Sequence, residues 1–126
     1  MQERSQKAQT ILVIEDEQDM LLLLRRILES EGYRVILATD GVYGMTLLRE
    51  AKPNLVLLDI MMPDPDGYVT LASIRQYSNV PVIMVTAKRE IEALQKALDL
   101  GADDYVKKPF RPAELLARIK VKLKHV

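Results

Sequence analysis

The chain of 126 residues has no cysteine, which excludes a disulfide framework, a thiolate metal site and a thiol nucleophile. Stability therefore needs no oxidising compartment, and the cytoplasm is the expected location. Long apolar runs are also missing. The longest stretch without a charged residue, Gln76 to Ala87, is twelve residues with a proline inside it, too short to cross a bilayer as a helix. No membrane partner is expected. Residues 1–9 are polar and lack the apolar segment of a signal peptide, so they read as a flexible leader before a single domain over residues 10–126. Glycines are few, at 32, 41, 44, 67 and 101, and they supply no loop that could cradle a nucleotide phosphate.

Charge of one sign is absent overall, because eighteen Lys and Arg balance eighteen Asp and Glu. No whole-protein field steers the molecule onto nucleic acid or anionic lipid. The zero is a cancellation of unlike segments. Glu15, Asp16, Glu17 and Asp19 form one purely acidic stretch, and Asp59, Asp64 and Asp66 form another. From Arg111 onward the bases Arg118, Lys120, Lys122 and Lys124 face Glu114 alone, which gives a basic final helix.

What is present is a repeating order. Four apolar runs of strand length, at residues 11–14, 35–38, 55–58 and 82–85, precede a weaker fifth at Tyr105 and Val106. Their apolar residues are continuous rather than alternating, as in strands covered on both faces by helices. Helical spacing follows, with Met20, Leu24, Ile27 and Leu28 in the first helix, Ile91, Leu94 and Leu98 in the fourth, and Leu115, Ile119 and Leu123 in the last. Gly32, Pro53, Asn54, Pro81 and Gly101 punctuate the boundaries. Five strand and helix pairs make an α/β fold, a doubly wound parallel sheet with helices on both faces. In such sheets ligands bind outside the carboxyl ends of the strands.

Those ends carry the chemistry. The first strand runs into Glu15-Asp16-Glu17 and the third closes on Asp59. Side-by-side placement of strands one and three brings three carboxylates together, and a hard divalent cation with oxygen ligands is the natural compensation. Mg²⁺ fits best, with Mn²⁺ as the alternative ion. A plainer reading makes Asp16 or Glu17 a helix cap and Asp66 the cap of the third helix. It accounts for Asp66 but not for Asp59, since Ile60-Met61-Met62-Pro63 follows and no helix can start there. The fourth strand ends at Thr86 and the fifth at Lys107-Lys108-Pro109. A carboxylate, a cation, a hydroxyl and an ammonium are the set that accepts a phosphoryl group. Asp59 attacks, Thr86 donates a hydrogen bond and Lys108 pairs with the phosphate.

The segments Ile11 to Glu17, Asp59 to Asp64, Asp66-Gly67, Val85-Thr86-Ala87 and Gly101 to Phe110 together resemble the receiver domain of two-component response regulators, over about residues 10–124. The likeness is greatest to the DNA-binding subfamily with a winged-helix output domain. The resemblance implies a flavodoxin-like strand order 2-1-3-4-5 and phosphorylation of Asp59 by a sensor histidine kinase. It further implies Mg²⁺ held by Asp16, Asp59 and the backbone carbonyl of Met61, with Glu15 acting through water. Thr86 and Tyr105 would be a switch pair read out on the fourth helix, fifth strand and fifth helix, and the Lys108–Pro109 bond would be cis. Lys88, Glu92, Lys96, Asp103, Asp104, Arg118 and Lys120 lie on that expected face, implying a homodimer of the phosphorylated form through ion pairs. Two departures stand out: Glu15 replaces the more usual aspartate, and Pro65 is uncommon in the loop after Asp59.

This reading makes the chain a signalling switch that catalyses its own aspartyl phosphorylation and slow self-dephosphorylation, and controls transcription through an output domain outside this sequence. No DNA-reading motif follows residue 110. The rivals are a stand-alone single-domain regulator and a constitutive interaction module, the latter expected to lack one of Asp59, Thr86 and Lys108. A haloacid-dehalogenase-type phosphatase would need an aspartate where Met61 stands.

Overall fold

Continuous apolar strands need cover on both faces; the runs at 11–14, 55–58 and 82–85 are buried throughout, whereas Val35, Ile36 and Leu37 at the sheet edge are half-buried. A computed structural model describes residues 8–88 and 90–124; seven of the nine residues read as a leader, 1–7, lie outside the described residues. In chain order the elements are β1 (Thr10–Ile14), α1 (Gln18–Glu29), β2 (Arg34–Ala38), α2 (Gly41–Ala51), β3 (Leu55–Leu58), α3 (Gly67–Tyr77), β4 (Val82–Thr86), α4 (Ile91–Asp99), β5 (Asp104–Lys107) and α5 (Pro112–Lys124). The sheet is parallel throughout with order β2-β1-β3-β4-β5. Strands β1 and β3 are neighbours, with Ile14 opposite Leu58.

Successive strand residues face opposite layers, so one apolar run feeds two cores. Ile11, Val13, Leu55, Leu57, Ile83, Val85 and Val106 pack against α1 and α5 through Leu21, Leu24, Leu28, Leu115, Ile119 and Leu123. Leu12, Ile14, Val56, Leu58, Val82, Met84 and Tyr105 face α2, α3 and α4. Each large side chain buried this fully contributes roughly 1.5–3 kcal/mol.

Two apolar stripes differ from the sequence expectation. In α1 the inward positions are Leu21, Leu24, Ile27 and Leu28, with Met20 only half-buried. In α4 the expected stripe is overturned in part: Leu94 packs on the core as expected, joined by buried Ala93 and Ala97, while Ile91 is 78% exposed and Leu98 41%. The inward face of α4 is thus built mostly from small residues, and Ile91 and Leu98 lie outside.

Helix ends follow local chemistry. Asp66 accepts a hydrogen bond from the Val69 amide and caps α3, and Asp40 does the same for α2 through Tyr43. Glu17 occupies the cap position of α1 without a side-chain cap bond, so the acidic run is not consumed in capping. Lys52 ends α2 at φ 48, a left-handed position filled without glycine.

Far from the strand ends, Arg75 fastens three segments. Its Nε donates to the Gly101 carbonyl (2.9 Å), Nη1 to the Val80 carbonyl (2.7 Å) and Nη2 to Asp103 (2.7 Å). The same Asp103 oxygen accepts from the Val82 amide at 2.8 Å. The end of α3, the start of β4 and the turn before β5 are thus tied by one guanidinium.

Gly67 brings α3 against the end of β3: a Cβ there would collide with the Asp59 carbonyl oxygen and the Ile60 Cα. Backbone on both sides leaves little room to relax. Gly67→Ala is expected to destabilise the fold by about 1–3 kcal/mol, read as a lower urea midpoint.

Candidate functional site

The sheet order carries Glu15 and Asp59 to one edge because each directly follows its strand. The Glu15 amide donates to the Ala38 carbonyl (3.0 Å) and the Asp59 amide to the Ile14 carbonyl (3.2 Å), extending the ladder by one rung. Both side chains are buried, at 2% and 5% exposure, while Asp16 stays exposed. Carboxylate oxygens of Glu15, Asp16 and Asp59 lie within 4.8 Å of one another. Three hard oxygen donors at that spacing suit Mg²⁺ chemistry.

Lys108 reaches this cluster from the end of β5. Its amide donates to the Thr86 carbonyl at 2.8 Å, which locks the turn. Its ammonium donates to Glu15 Oε1 at 2.7 Å and to Asp59 Oδ2 at 3.1 Å. The other oxygens are also held: Glu15 Oε2 accepts from the Glu17 amide and Asp59 Oδ1 from the Met61 amide. The Lys108–Pro109 peptide is cis, as the resemblance implies, and Asp64–Pro65 is cis as well.

Electrostatics follow from burial. Desolvation raises the Glu15 carboxyl above its ordinary range and the Asp59 charge adds to this, against the lowering effect of the Lys108 hydrogen bond. For Lys108, burial acts to lower the pKa, but the bond to Glu15 and the charges of Asp59 and Glu15 overcome it, and the net direction is up. The lysine is held as the cation that offsets two buried carboxylates.

Thr86 is fully buried, and its hydroxyl accepts from the Lys88 amide at 3.3 Å. Tyr105 has its ring in the core and donates its hydroxyl to the Lys88 carbonyl at 2.8 Å. Burial first, then the nearby Tyr68, Glu90 and Asp59, pushes the Tyr105 phenol up to about 12. Both side chains therefore hold the segment between β4 and α4. Sequence reasoning missed Tyr68, whose hydroxyl donates to the Ala93 carbonyl at 3.4 Å on that segment's far side. It also missed Arg75. Partners 25 and 26 residues away leave no local signal.

The residues expected on the fourth-helix, fifth-strand and fifth-helix face divide into separate groups. Lys88, Glu92 and Lys96 line a groove with Tyr68, and the Lys96 ammonium sits 4.3 Å over the Tyr68 ring. Asp104 accepts two hydrogen bonds from Arg118 Nη1, at 2.9 and 3.0 Å. Asp103 is engaged by Arg75 and the Val82 amide. Lys120 pairs with Glu31 at 3.6 Å, just past the end of α1.

The family model for the response regulator receiver domain matches residues 11–120. The chain belongs to that family. The chain is 46% identical over 116 residues to a probable transcriptional regulator, ycf27, of Porphyridium aerugineum, covering 92% of this chain and 48% of that protein. It is 40% identical to the DNA-binding response regulator MtrA of Mycobacterium tuberculosis, covering 92% and 51%. The chain thus spans about half the length of these curated relatives. Among solved structures, a CheY-like receiver domain protein from Methanospirillum hungatei superposes with TM-score 0.89 at 34% identity, covering 94% of this chain and 96% of the other. The BeF3-activated receiver domain of Klebsiella pneumoniae RstA gives 0.87 at 31%, covering 90% and 97%. No helix among the described residues is long and apolar enough to cross a membrane.

Removing the lysine should expose what it offsets. Lys108→Met is expected to cost about 3 kcal/mol at neutral pH by leaving buried carboxylates unpaired. Because the Glu15 carboxyl sits above its ordinary pKa, it takes up a proton early as the pH falls, and the deficit should shrink on acidification. In the wild type the Lys108 contribution is complete below its unfolded pKa and is lost only as pH rises through the raised folded value. Denaturant titrations of both proteins across pH check both signs.

Proposed function

We propose that this receiver domain takes a phosphoryl group from a phosphohistidine of a sensor histidine kinase onto Asp59. The observation that carries the reading is the Lys108 ammonium, bonded to Asp59 and Glu15 inside a cluster of three carboxylates. Asp59 Oδ attacks phosphorus as the phosphorus–nitrogen bond breaks, and the imidazole departs with the electron pair. Lys108, already in contact with the Asp59 carboxylate, pairs with the incoming oxygens, and the Thr86 hydroxyl donates to one of them. Asp16, Asp59 and the Met61 carbonyl would hold Mg²⁺, with Glu15 acting through water, and Mn²⁺ is the alternative ion. Once bound, Mg²⁺ spreads the negative charge on the transferring oxygens.

Drawing Thr86 toward the phosphoryl group takes its hydroxyl from the Lys88 amide, and the Lys88 carbonyl is where Tyr105 is anchored. One charge event thus bears on both attachments of the segment leading into α4. We place the domain at residues 10–126, after a leader of residues 1–9, in the cytoplasm. The phosphorylated form pairs as a homodimer, and DNA is reached through an output domain, as the length and names of the relatives suggest. Exposed Ile91 and Leu98 supply apolar surface on the dimer face, and Asp104 with Arg118 supplies a pair that can be exchanged between subunits.

Acetyl phosphate with Mg²⁺ should add one phosphoryl group to the wild type by intact mass and none to Asp59→Asn; addition to the variant would relocate the nucleophile. Asp103 and Asp104 should separate. Asp103→Asn is expected to lower thermal stability through loss of the Arg75 bridge, whereas Asp104→Asn leaves stability nearly unchanged and weakens dimerisation of the phosphorylated form in sedimentation.

A further inference from the structure

The loop between β3 and α3 follows the phosphoacceptor and contains the unusual Pro65. Its inner limb is well fixed. Ile60 and Met62 are buried, the Met61 amide donates to Asp59 Oδ1 at 3.1 Å, and the Gly67 amide donates to the Ile60 carbonyl at 2.9 Å. The outer limb is different. Pro63 and Asp64 are exposed, so apolar anchorage there falls to Pro65. A Cβ added at Gly41 would lie 3.2 Å from Pro65 Cγ and would collide with the Thr70 hydroxyl. The proline ring therefore closes on the bare backbone that starts α2, beside a buried hydroxyl that has no hydrogen-bond partner among the described residues. Contact with a second helix, at a position where an added methyl would be crowded, ties the loop to a part of the protein outside the site.

We propose that Pro65 is a positioning residue for the site: wedged against Gly41, it holds the outer limb of the loop and so fixes the Met61 segment that faces the cation. The inference rests on the Mg²⁺ reading above and adds a residue that touches neither the ion nor the phosphoryl group. Proline narrows the conformations open to the limb, and the packed ring limits its displacement. Supports of this kind set how well a loop carbonyl is presented to a metal ion.

The test is a Mg²⁺ titration of the full chain followed by amide shifts at Asp16, Asp59 and Met61, with thermal unfolding measured in parallel. Pro65→Ala is expected to raise the half-saturating Mg²⁺ concentration about tenfold, the lower edge of what loss of an outer support costs a metal site, while the shifts at saturation match the wild type. Gly41→Ala crowds the ring as well but collides more severely with the Thr70 hydroxyl, so Pro65→Ala is the deciding variant. An unchanged half-saturation in Pro65→Ala, with or without a lower melting temperature, overturns the inference and leaves Pro65 a packing residue. A wild type whose shifts do not saturate overturns the Mg²⁺ reading itself.

Discussion

Two carboxylates buried at the ends of adjacent strands are an electrostatic debt, and the Lys108 ammonium is what keeps it tolerable. Glu15 and Asp59 are both buried, and each is within hydrogen-bond reach of that one cation. The fold is arranged to deliver that cation. The β4–β5 pairing brings the chain past Thr86, the Lys108 amide is tied to the Thr86 carbonyl, and the side chain then extends across the strand ends. The parallel order that places β3 between β1 and β4 is therefore an electrostatic requirement as well as a packing one.

The same arrangement explains why chemistry and signal share one neighbourhood. Thr86 and Tyr105 both bond to Lys88, one to its amide and one to its carbonyl, so a change in charge beside Thr86 is felt first where β4 turns toward α4. Tyr68 holds the first turn of α4 from the α3 side. Lys88 is thus held by one tyrosyl hydroxyl and a threonine, and α4 by a second tyrosyl hydroxyl.

Much of this was legible in the sequence, for physical reasons. Short continuous apolar runs bounded by turn residues and separated by helical spacing fit strands between two helical layers, so four of them and a weaker fifth define the layers, and the strand-end rule then points to Glu15, Asp16, Asp59, Thr86 and Lys108. In α4 the spacing of Ile91, Leu94 and Leu98 found only Leu94 correctly, because Ala93 and Ala97 carry little hydrophobic signal and yet are the fully buried residues, while Ile91 and Leu98 are exposed. Arg75 and Tyr68 were invisible because their bonds depend on how distant segments meet. The strand order itself came from the family resemblance, since periodicity cannot say which parallel strands are neighbours.

Two alanine methyls and one half-buried leucine, Leu94, are a slight grip for a helix nine residues long. Displacing such a face forfeits less apolar burial than displacing a stripe of fully buried large side chains would. A helix seated this lightly converts a small electrostatic perturbation into a visible displacement, and the aliphatic side chains on its outer surface travel with it. Stiffness is concentrated where the anion arrives and compliance where the message departs.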